Sequence, residues 1–214
     1  MMIGRASKWW LDRTAAACGL LILAPLLLGL SVLVLLTMGR PVFFRQQRPG
    51  LHEKAFILVK FRTMKMVAPG MSESQIAASD AMRLTVFGSW LRKYSLDELP
   101  QLWNVFVGDM SLVGPRPLLM SYLARYSPEQ SRRHLMRPGI TGLAQVSGRN
   151  QMSWESKFSY DVHYVDEWSF LLDCKILVRT VAKVLASEGV SAQGAATMPE
   201  FVGGTETHPD KMET

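Results

Sequence analysis

Residues 14–39 read TAAACGLLILAPLLLGLSVLVLLTMG, twenty-six positions from Thr14 to Gly39 without a charged side chain. About 20 apolar residues are enough to span hydrocarbon. A cleavable leader has an apolar core of roughly 7–15 residues and then a small-residue cleavage site. This run is longer, and Arg40-Pro41-Val42-Phe43-Phe44 follows it, so it reads as a retained membrane element. Arg5, Lys8 and Arg13 precede it, and Arg40, Arg45, Arg48 and Lys54 follow. Positive charge marks the cytoplasmic side of a membrane segment. A hairpin that enters and leaves on one face satisfies that rule at both ends, whereas a straight span breaks it at one. Pro25, near the middle, removes a helix hydrogen bond and bends the axis. It is the expected break of a re-entrant helix-break-helix; the alternative is a tilted single-pass helix that tolerates its proline. Trp9 and Trp10, beside Lys8, suit an interfacial anchor before the dip.

The 214-residue chain allows one domain of ordinary size, or one domain plus an appendage. With 48% hydrophobic and 20% charged residues it is too apolar for disorder. Lys and Arg number 24 against 18 Asp and Glu, a net charge of +6, which suggests anionic partners. Cys18 and Cys174 make no disulfide framework and fit a reducing compartment. Collagen-like, disulfide-scaffold, zinc-finger and multi-domain readings are excluded. The expected fold is α/β, a mostly helical small catalytic body with an N-terminal re-entrant membrane helix-break-helix and interfacial amphipathic helices. Its expected divisions are a membrane hairpin over 1–40, a catalytic domain over 41–187 and a partly ordered tail over 188–214, frayed beyond Gly203.

Within that body, Val42–Phe44 and Ala55–Phe61 read as extended segments around the turn signal Arg48-Pro49-Gly50. Helical spacing is expected over Leu84–Tyr94, Ser95–Phe106 and Leu118–Leu135, and helical or mixed spacing over Phe158–Val165 and Leu171–Leu185. Gly108–Pro117 and Arg137–Asn150 read as loops.

The pair Asp97-Glu98 admits two readings. Ser95-x-x-Glu98 has the form of a capping box, with Asp97 charging the first helical turn. Pro100 weighs against it, because it falls after the first turn, where its missing N–H costs a bond. The other reading is a metal-phosphate site: two adjacent carboxylates with Arg92 and Lys93 nearby, one carboxylate attacking or binding Mg2+ and the cations neutralising phosphate oxygens. Three arginines stand in Gly/Pro frames: Arg116 between Pro115 and Pro117, Arg137 before Pro138-Gly139, and Arg149 after Gly148. Such frames fix a guanidinium among open N–H groups, which suits phosphate capture; a solvated surface turn is the bland alternative. Arg45, Arg48 and Arg62 join them from the first half, Arg48 and Arg62 as candidate phosphate ligands. Asp161 and Asp173, read alone, suit helix caps and faces. His52, His134 and His163 lack ligand spacing, and neither a Walker loop nor G-x-G-x-x-G occurs.

The blocks Pro41-Val42-Phe43-Phe44-Arg45-Gln46-Gln47-Arg48-Pro49-Gly50, Lys60-Phe61-Arg62-Thr63-Met64 and Ser95-Leu96-Asp97-Glu98-Leu99-Pro100-Gln101-Leu102-Trp103-Asn104-Val105 follow in order. After them come Gly108-Asp109-Met110-Ser111-Leu112-Val113-Gly114-Pro115-Arg116-Pro117 and Pro138-Gly139-Ile140-Thr141-Gly142. From about Lys8 to about Thr180 the chain resembles the bacterial sugar transferases known as monotopic phosphoglycosyl transferases, in their minimal form. The resemblance implies a re-entrant hairpin at the bacterial inner membrane with the catalytic domain on the cytoplasmic face. Ala24-Pro25 stands at the break where some members have Ser-Pro, so a serine back-bond is missing. It implies transfer of a sugar-1-phosphate from a UDP-sugar to undecaprenyl phosphate, releasing UMP, with Mg2+ as cofactor. Asp97 and Glu98 fall on the family's catalytic dyad. Asp97 would attack the sugar-bearing phosphate, and Glu98 would bind metal or orient Asp97. Arg92, Arg116 and Arg149 would bind phosphate, and Asp161 and Asp173 match acidic positions of the C-terminal half. Expected partners are the two substrates and the phospholipid membrane, without nucleic acid, and a homodimer is compatible. The tail Ala195–Phe201 resembles short members that initiate glycoprotein or exopolysaccharide glycans. Two other classes compete: a membrane-anchored Mg2+-dependent phosphohydrolase and a non-enzymatic basic module.

Overall fold

The computed structural model describes residues 2–67, 70, 79, 82–148, 152–186 and 200–203. Helix α1 spans Met2–Met38 and carries Pro25 in its interior. The expected break is therefore absent from the secondary structure: the helix continues past a proline that removes one hydrogen bond. Burial explains the continuity. Lys8, Asp12, Ala16, Leu20, Leu23, Leu27, Leu30, Val34 and Met38 are buried or half-buried at steps of three or four residues, one face of a helix. That stripe passes Pro25 without a change of phase. The remaining faces are open: Leu21 and Ile22 are each 77% exposed. The most apolar window of the helix has a mean hydropathy of 2.8 and is 11% buried, the reverse of a core helix in a soluble protein. At its end Gly39 takes a φ of 74° and donates its N–H to Leu35 O, a left-handed C-terminal stop.

Strands β1 (Phe43–Pro49) and β2 (Ala55–Phe61) form an antiparallel hairpin with Phe43 opposite Phe61 and Arg48 opposite Phe56. Strand β1 is longer than the sequence suggests, because pairing with β2 imposes extended backbone on the polar Arg45-Gln46-Gln47. Helix α2 (Val86–Lys93) is capped by Thr85, whose side chain accepts from Gly88 N. Gly88 is required there: a Cβ would lie 1.9 Å from Thr63 O.

The expected single helix from Ser95 is a 3-10 turn, Leu96–Glu98, followed by helix α3 (Gln101–Val107). Ser95 sits at φ 55° and makes no side-chain cap bond, so the capping box does not form. Pro100 stands at the N-cap of α3, where no N–H is needed. Likewise Leu118–Leu135 is not one helix. It divides into a 3-10 segment Met120–Arg125, helix α4 (Pro128–Ser131) and a 3-10 segment Arg132–Leu135. Ser127 and Pro128 restart the helix with a new cap.

Two segments expected as loops contain a parallel pair, β3 (Ser111–Val113) with β4 (Gly139–Thr141). Three-residue strands carry too little alternation to be read. Their backbones meet closely at glycine: a Cβ on Gly139 would lie 2.1 Å from Gly114 N. Short helix α5 (Leu143–Ser147) precedes the long helices α6 (Trp154–Asp166) and α7 (Phe170–Leu185). Val113, Met136, Leu143, Tyr164 and Ile176 form the core beneath them. A second cluster joins Ala16 of α1 to Phe56, Leu58 and Val105, and a third joins Leu30 and Val34 to Phe61 and Leu91. Helix α1 is thus packed on the body at two well-separated levels.

Candidate active site

The 3-10 turn between α2 and α3 carries Asp97 inward, 5% exposed. Its carboxylate accepts no hydrogen bond from any described residue. Burial, together with the negative charge of Glu98, raises its pKa from 3.8 to about 6, against the opposing pull of Lys60, Arg92 and Arg116. Glu98 is held by a fork from Arg116, Nη2 to Oε1 at 2.5 Å and Nη1 to Oε2 at 3.4 Å, and this raises the Arg116 pKa. The Arg92 Nε donates to Thr63 Oγ1 at 3.0 Å, so the close approach permitted by Gly88 also aims Arg92.

The structure adds Lys60, which the motif analysis did not single out as a site residue. Its side chain is half-buried on β2, with Nζ 5.2 Å from the Phe44 ring centroid. Burial lowers its pKa, and the Asp97 carboxylate opposes that shift most strongly. A lysine on an alternating strand gives no local signal that it faces a carboxylate from a distant turn.

Arg48 lies beside Arg116. It donates to Gln46 Oε1 at 2.6 Å and to Pro117 O at 3.4 Å. Burial and Arg116 lower its pKa to about 10, leaving it charged at neutral pH. Pro115 and Pro117 hold the Arg116 loop at both ends: Gly139 N donates to Pro115 O at 3.0 Å, and Arg48 grips Pro117.

The other expected residues divide. Asp161 is 4% exposed and accepts from Arg133 Nη2 at 2.6 Å and Nε at 3.1 Å. Arg133 also donates to Arg116 O at 2.6 Å and to Tyr126 Oη at 3.2 Å, so Asp161 reaches the site through Arg133. Arg133 was missed because nothing local marks it among Arg132, Arg133 and His134. Asp173 anchors the start of α1: it accepts from Lys8 Nζ and Tyr164 Oη, each at 2.7 Å, and from Trp168 Nε1 at 3.1 Å. Arg62, 5% exposed, donates to the carbonyls of Met38, Gly39 (2.7 Å) and Arg40 (3.0 Å) at the end of α1, which engages it away from the carboxylates. Arg149 lies outside the described residues.

Among the described residues no three His, Cys, Asp or Glu side chains converge as a metal cage. The donors available are two hard carboxylates, Asp97 without a hydrogen-bond donor and Glu98 tied to Arg116. That set fits Mg2+, which takes one or two carboxylates together with substrate phosphates.

Residues 3–187 match a family model described as bacterial sugar transferase. The chain is 53% identical over 192 residues to the uncharacterized sugar transferase EpsL of Bacillus subtilis (strain 168), covering 90% of this chain and 94% of that protein. It is 38% identical over 201 residues to the exopolysaccharide production protein ExoY of Rhizobium meliloti (strain 1021), covering 87% and 89%. It is 40% identical over 185 residues to a UDP-glucose:undecaprenyl-phosphate glucose-1-phosphate transferase of Xanthomonas campestris pv. campestris, covering 83% of this chain and 38% of that longer protein.

Proposed function

The chain belongs to the bacterial sugar transferase family, and from that premise we propose that it transfers a sugar-1-phosphate from a UDP-sugar to undecaprenyl phosphate at the cytoplasmic membrane face, releasing UMP. The observation that carries this reading is the buried Asp97 carboxylate, which accepts no hydrogen bond among the described residues and lies in the field of Lys60, Arg92 and Arg116. With its pKa near 6 it is mostly ionised at neutral pH, poorly solvated and therefore a competent nucleophile. One Asp97 oxygen attacks the phosphorus that bears the sugar. An oxygen–phosphorus bond forms, the phosphoanhydride bond breaks, and UMP leaves with the bonding electron pair, so no proton needs to move. An oxygen of undecaprenyl phosphate then attacks the same phosphorus. The acyl phosphate breaks, Asp97 is regenerated as carboxylate, and the sugar leaves on a lipid diphosphate. The two anionic substrates never meet in one step.

Lys60, Arg92 and Arg116 offset charge on the transferring phosphoryl oxygens. Glu98, held in the Arg116 fork, keeps Asp97 oriented and its pKa raised. Mg2+, bound by Asp97 and Glu98, would supply further neutralisation of the diphosphate.

Support for a monotopic seat comes from the ends of α1. Lys8 is bound to Asp173, and the carbonyls of Met38, Gly39 and Arg40 are bound by Arg62, so both ends are fixed to one body. The nearly unburied apolar faces between those anchors suit lipid contact. Ile3→Cys and Lys54→Cys should label from the same side of sealed vesicles; labelling from opposite sides would mean a span.

The reaction is tested by UMP release from nanodisc-held protein given Mg2+ and UDP-sugars, UDP-glucose first, with and without undecaprenyl phosphate. UMP should appear and fall at least about a thousandfold in Asp97→Asn. Retention of activity in that variant, or release of UDP in place of UMP, sinks the mechanism.

A further inference from the structure

At the N-terminal end of α1, two guanidinium groups converge on one indole. The Arg13 Cζ lies 4.5 Å from the Trp9 ring centroid, 6.0 Å from Trp10 and 5.9 Å from Phe106. The Arg137 Cζ lies 5.7 Å from the Trp9 ring, and its Nε donates to Gly108 O at 2.9 Å. Gly108 makes room for the meeting: a Cβ there would lie 3.1 Å from Trp9 Nε1 and 3.3 Å from Arg13 Nη1.

Neither arginine forms an ion pair among the described residues. The nearest acid, Asp12, is already bound by Lys8 at 3.2 Å and by the Ser111 hydroxyl. Burial lowers the Arg137 pKa, the Asp12 carboxylate opposes that shift, and the neighbouring Arg13 adds to it by like-charge repulsion. The Trp9 Nε1 is buried without an acceptor. A cavity of about 470 Å3 opens beside them, lined by Trp9, Lys8, Asp12, His52, Met136 and Arg137 among others. Two half-buried like charges, an orphaned N–H and a cavity form a cradle lacking its anion.

The depth of this cradle indicates the anion's source. Arg13 is the last charge before the uncharged run that begins at Thr14. Trp10 beside it is 63% exposed, and Trp103 on α3 is 52% exposed. Exposed indoles next to arginines at the start of an apolar run belong at the headgroup level of a bilayer. We propose that Arg13, Arg137 and the Trp9 indole N–H form a binding site for the phosphodiester of an anionic phospholipid, with the headgroup entering the adjoining cavity. The site holds the start of α1 at a fixed depth and azimuth in the membrane, which a purely apolar helix cannot define. It does not involve Asp97 and stands apart from the transfer reaction.

The test is lipid retention, read without turnover. Full-length protein is taken from nanodiscs made of equal parts phosphatidylglycerol and phosphatidylcholine, and the lipids that stay bound are identified by native mass spectrometry. The wild type should retain phosphatidylglycerol preferentially. Arg13→Gln, which removes ring contacts but no hydrogen bond, should lower that preference about fivefold, and Arg137→Gln should lower it by a similar factor. The paired Arg13→Lys and Arg137→Lys variant, which keeps both charges, should retain most of it and guards against a folding artefact. Lys54→Gln, at an exposed cation in the hairpin turn, should leave the preference unchanged. The proposal is overturned if Arg13→Gln keeps the wild-type preference, or if Lys54→Gln lowers it equally, which would mean diffuse attraction. It is also overturned if millimolar glycerol 3-phosphate displaces the lipid, since the cradle would then serve a soluble phosphate.

Discussion

Arg133 holds Arg116 by its backbone: Nη2 of the first donates to the carbonyl oxygen of the second at 2.6 Å. Arg133 is 2% exposed and is neutralised by Asp161, whereas the Arg116 side chain is 46% exposed and reaches out to Glu98. One arginine is thus the buried support of another. The backbone of the loop between Pro115 and Pro117 is held by Arg133, by Gly139 and by Arg48 together, which fixes the root of the Arg116 side chain. A positioned cation acts on a transition state without first paying to reorganise.

Breaking that support should cost both stability and chemistry. Arg133→Met leaves the Asp161 carboxylate buried and unpaired, a loss of about 3–5 kcal/mol, measurable by chemical denaturation. Arg133→Lys keeps the charge but not the fork. It should recover most of the stability and still lower kcat/KM for UMP release about tenfold, because Arg116 is no longer held. Equal recovery of both quantities would make Arg133 merely structural.

The raised pKa of Asp97 sets an acid limb. Below about pH 6 Asp97 is protonated, so if it is the nucleophile we propose, kcat/KM should fall about tenfold per pH unit. Glu98→Gln removes one of the two causes that raise that pKa, so the midpoint of the limb should move toward lower pH. A limb that stays in place in Glu98→Gln would assign the ionisation to another group.

The same shift has a price in stability, with a definite sign. Asp97 titrates near 3.8 when unfolded and near 6 when folded, so the native state binds the proton more tightly. Ionised Asp97 therefore destabilises the fold. The cost begins as pH rises past the unfolded value and is complete above the folded one, where two pKa units amount to about 3 kcal/mol. Asp97→Asn should raise the unfolding free energy by about that amount at pH 7.5 and by almost nothing below about pH 4. The comparison needs only denaturation curves at the two pH values.

Lys60 supplies positive charge to Asp97 and, in the proposed reaction, to the transferring phosphate. Lys60→Gln should move the acid limb of kcat/KM to higher pH, since the Asp97 carboxylate loses its strongest opposing cation. It should also lower the rate at the plateau about tenfold. An unchanged pH profile would remove Lys60 from the site.

Asp173 offers a contrast. It binds Lys8, Tyr164 and Trp168 and tethers α1. Asp173→Ala leaves Lys8 with only Asp12 and strips Tyr164 and Trp168 of an acceptor, so thermal stability should fall by about 3 kcal/mol. Turnover per folded molecule should change less than twofold, as measured against the folded fraction. A large loss of kcat in fully folded protein would return Asp173 to the catalytic set.

The long apolar helix α1, the adjacent carboxylates Asp97 and Glu98 and the Pro-framed Arg116 that pairs with Glu98 could be picked out of the chain because each is a local pattern. A run without charge, adjacent carboxylates and a proline frame need no knowledge of distant neighbours. Helices α6 and α7 were legible for the same reason, being long enough to display their period. Strands β3 and β4 were not, since three residues show no alternation and their pairing depends on Gly114 meeting Gly139 across 25 positions. The capping box at Ser95 failed although its sequence was correct: Asp97 is drawn inward beneath Lys60 and Arg92, and the turn that delivers it forces Ser95 to a positive φ.

The residues' chemical types, and hence the reaction they suit, are properties of the sequence. Their division of labour is not. Asp161 and Asp173 look alike as acids on helices, and Arg62 looks like Arg48. Only tertiary packing binds Asp161 to Arg133 behind the site, commits Asp173 to Lys8, turns Arg62 onto the carbonyls ending α1 and leaves Asp97 without a hydrogen-bond partner among the described residues. A charged group's role depends on which opposite charge reaches it first in a poorly solvated interior, and that is set by distances between segments far apart along the chain.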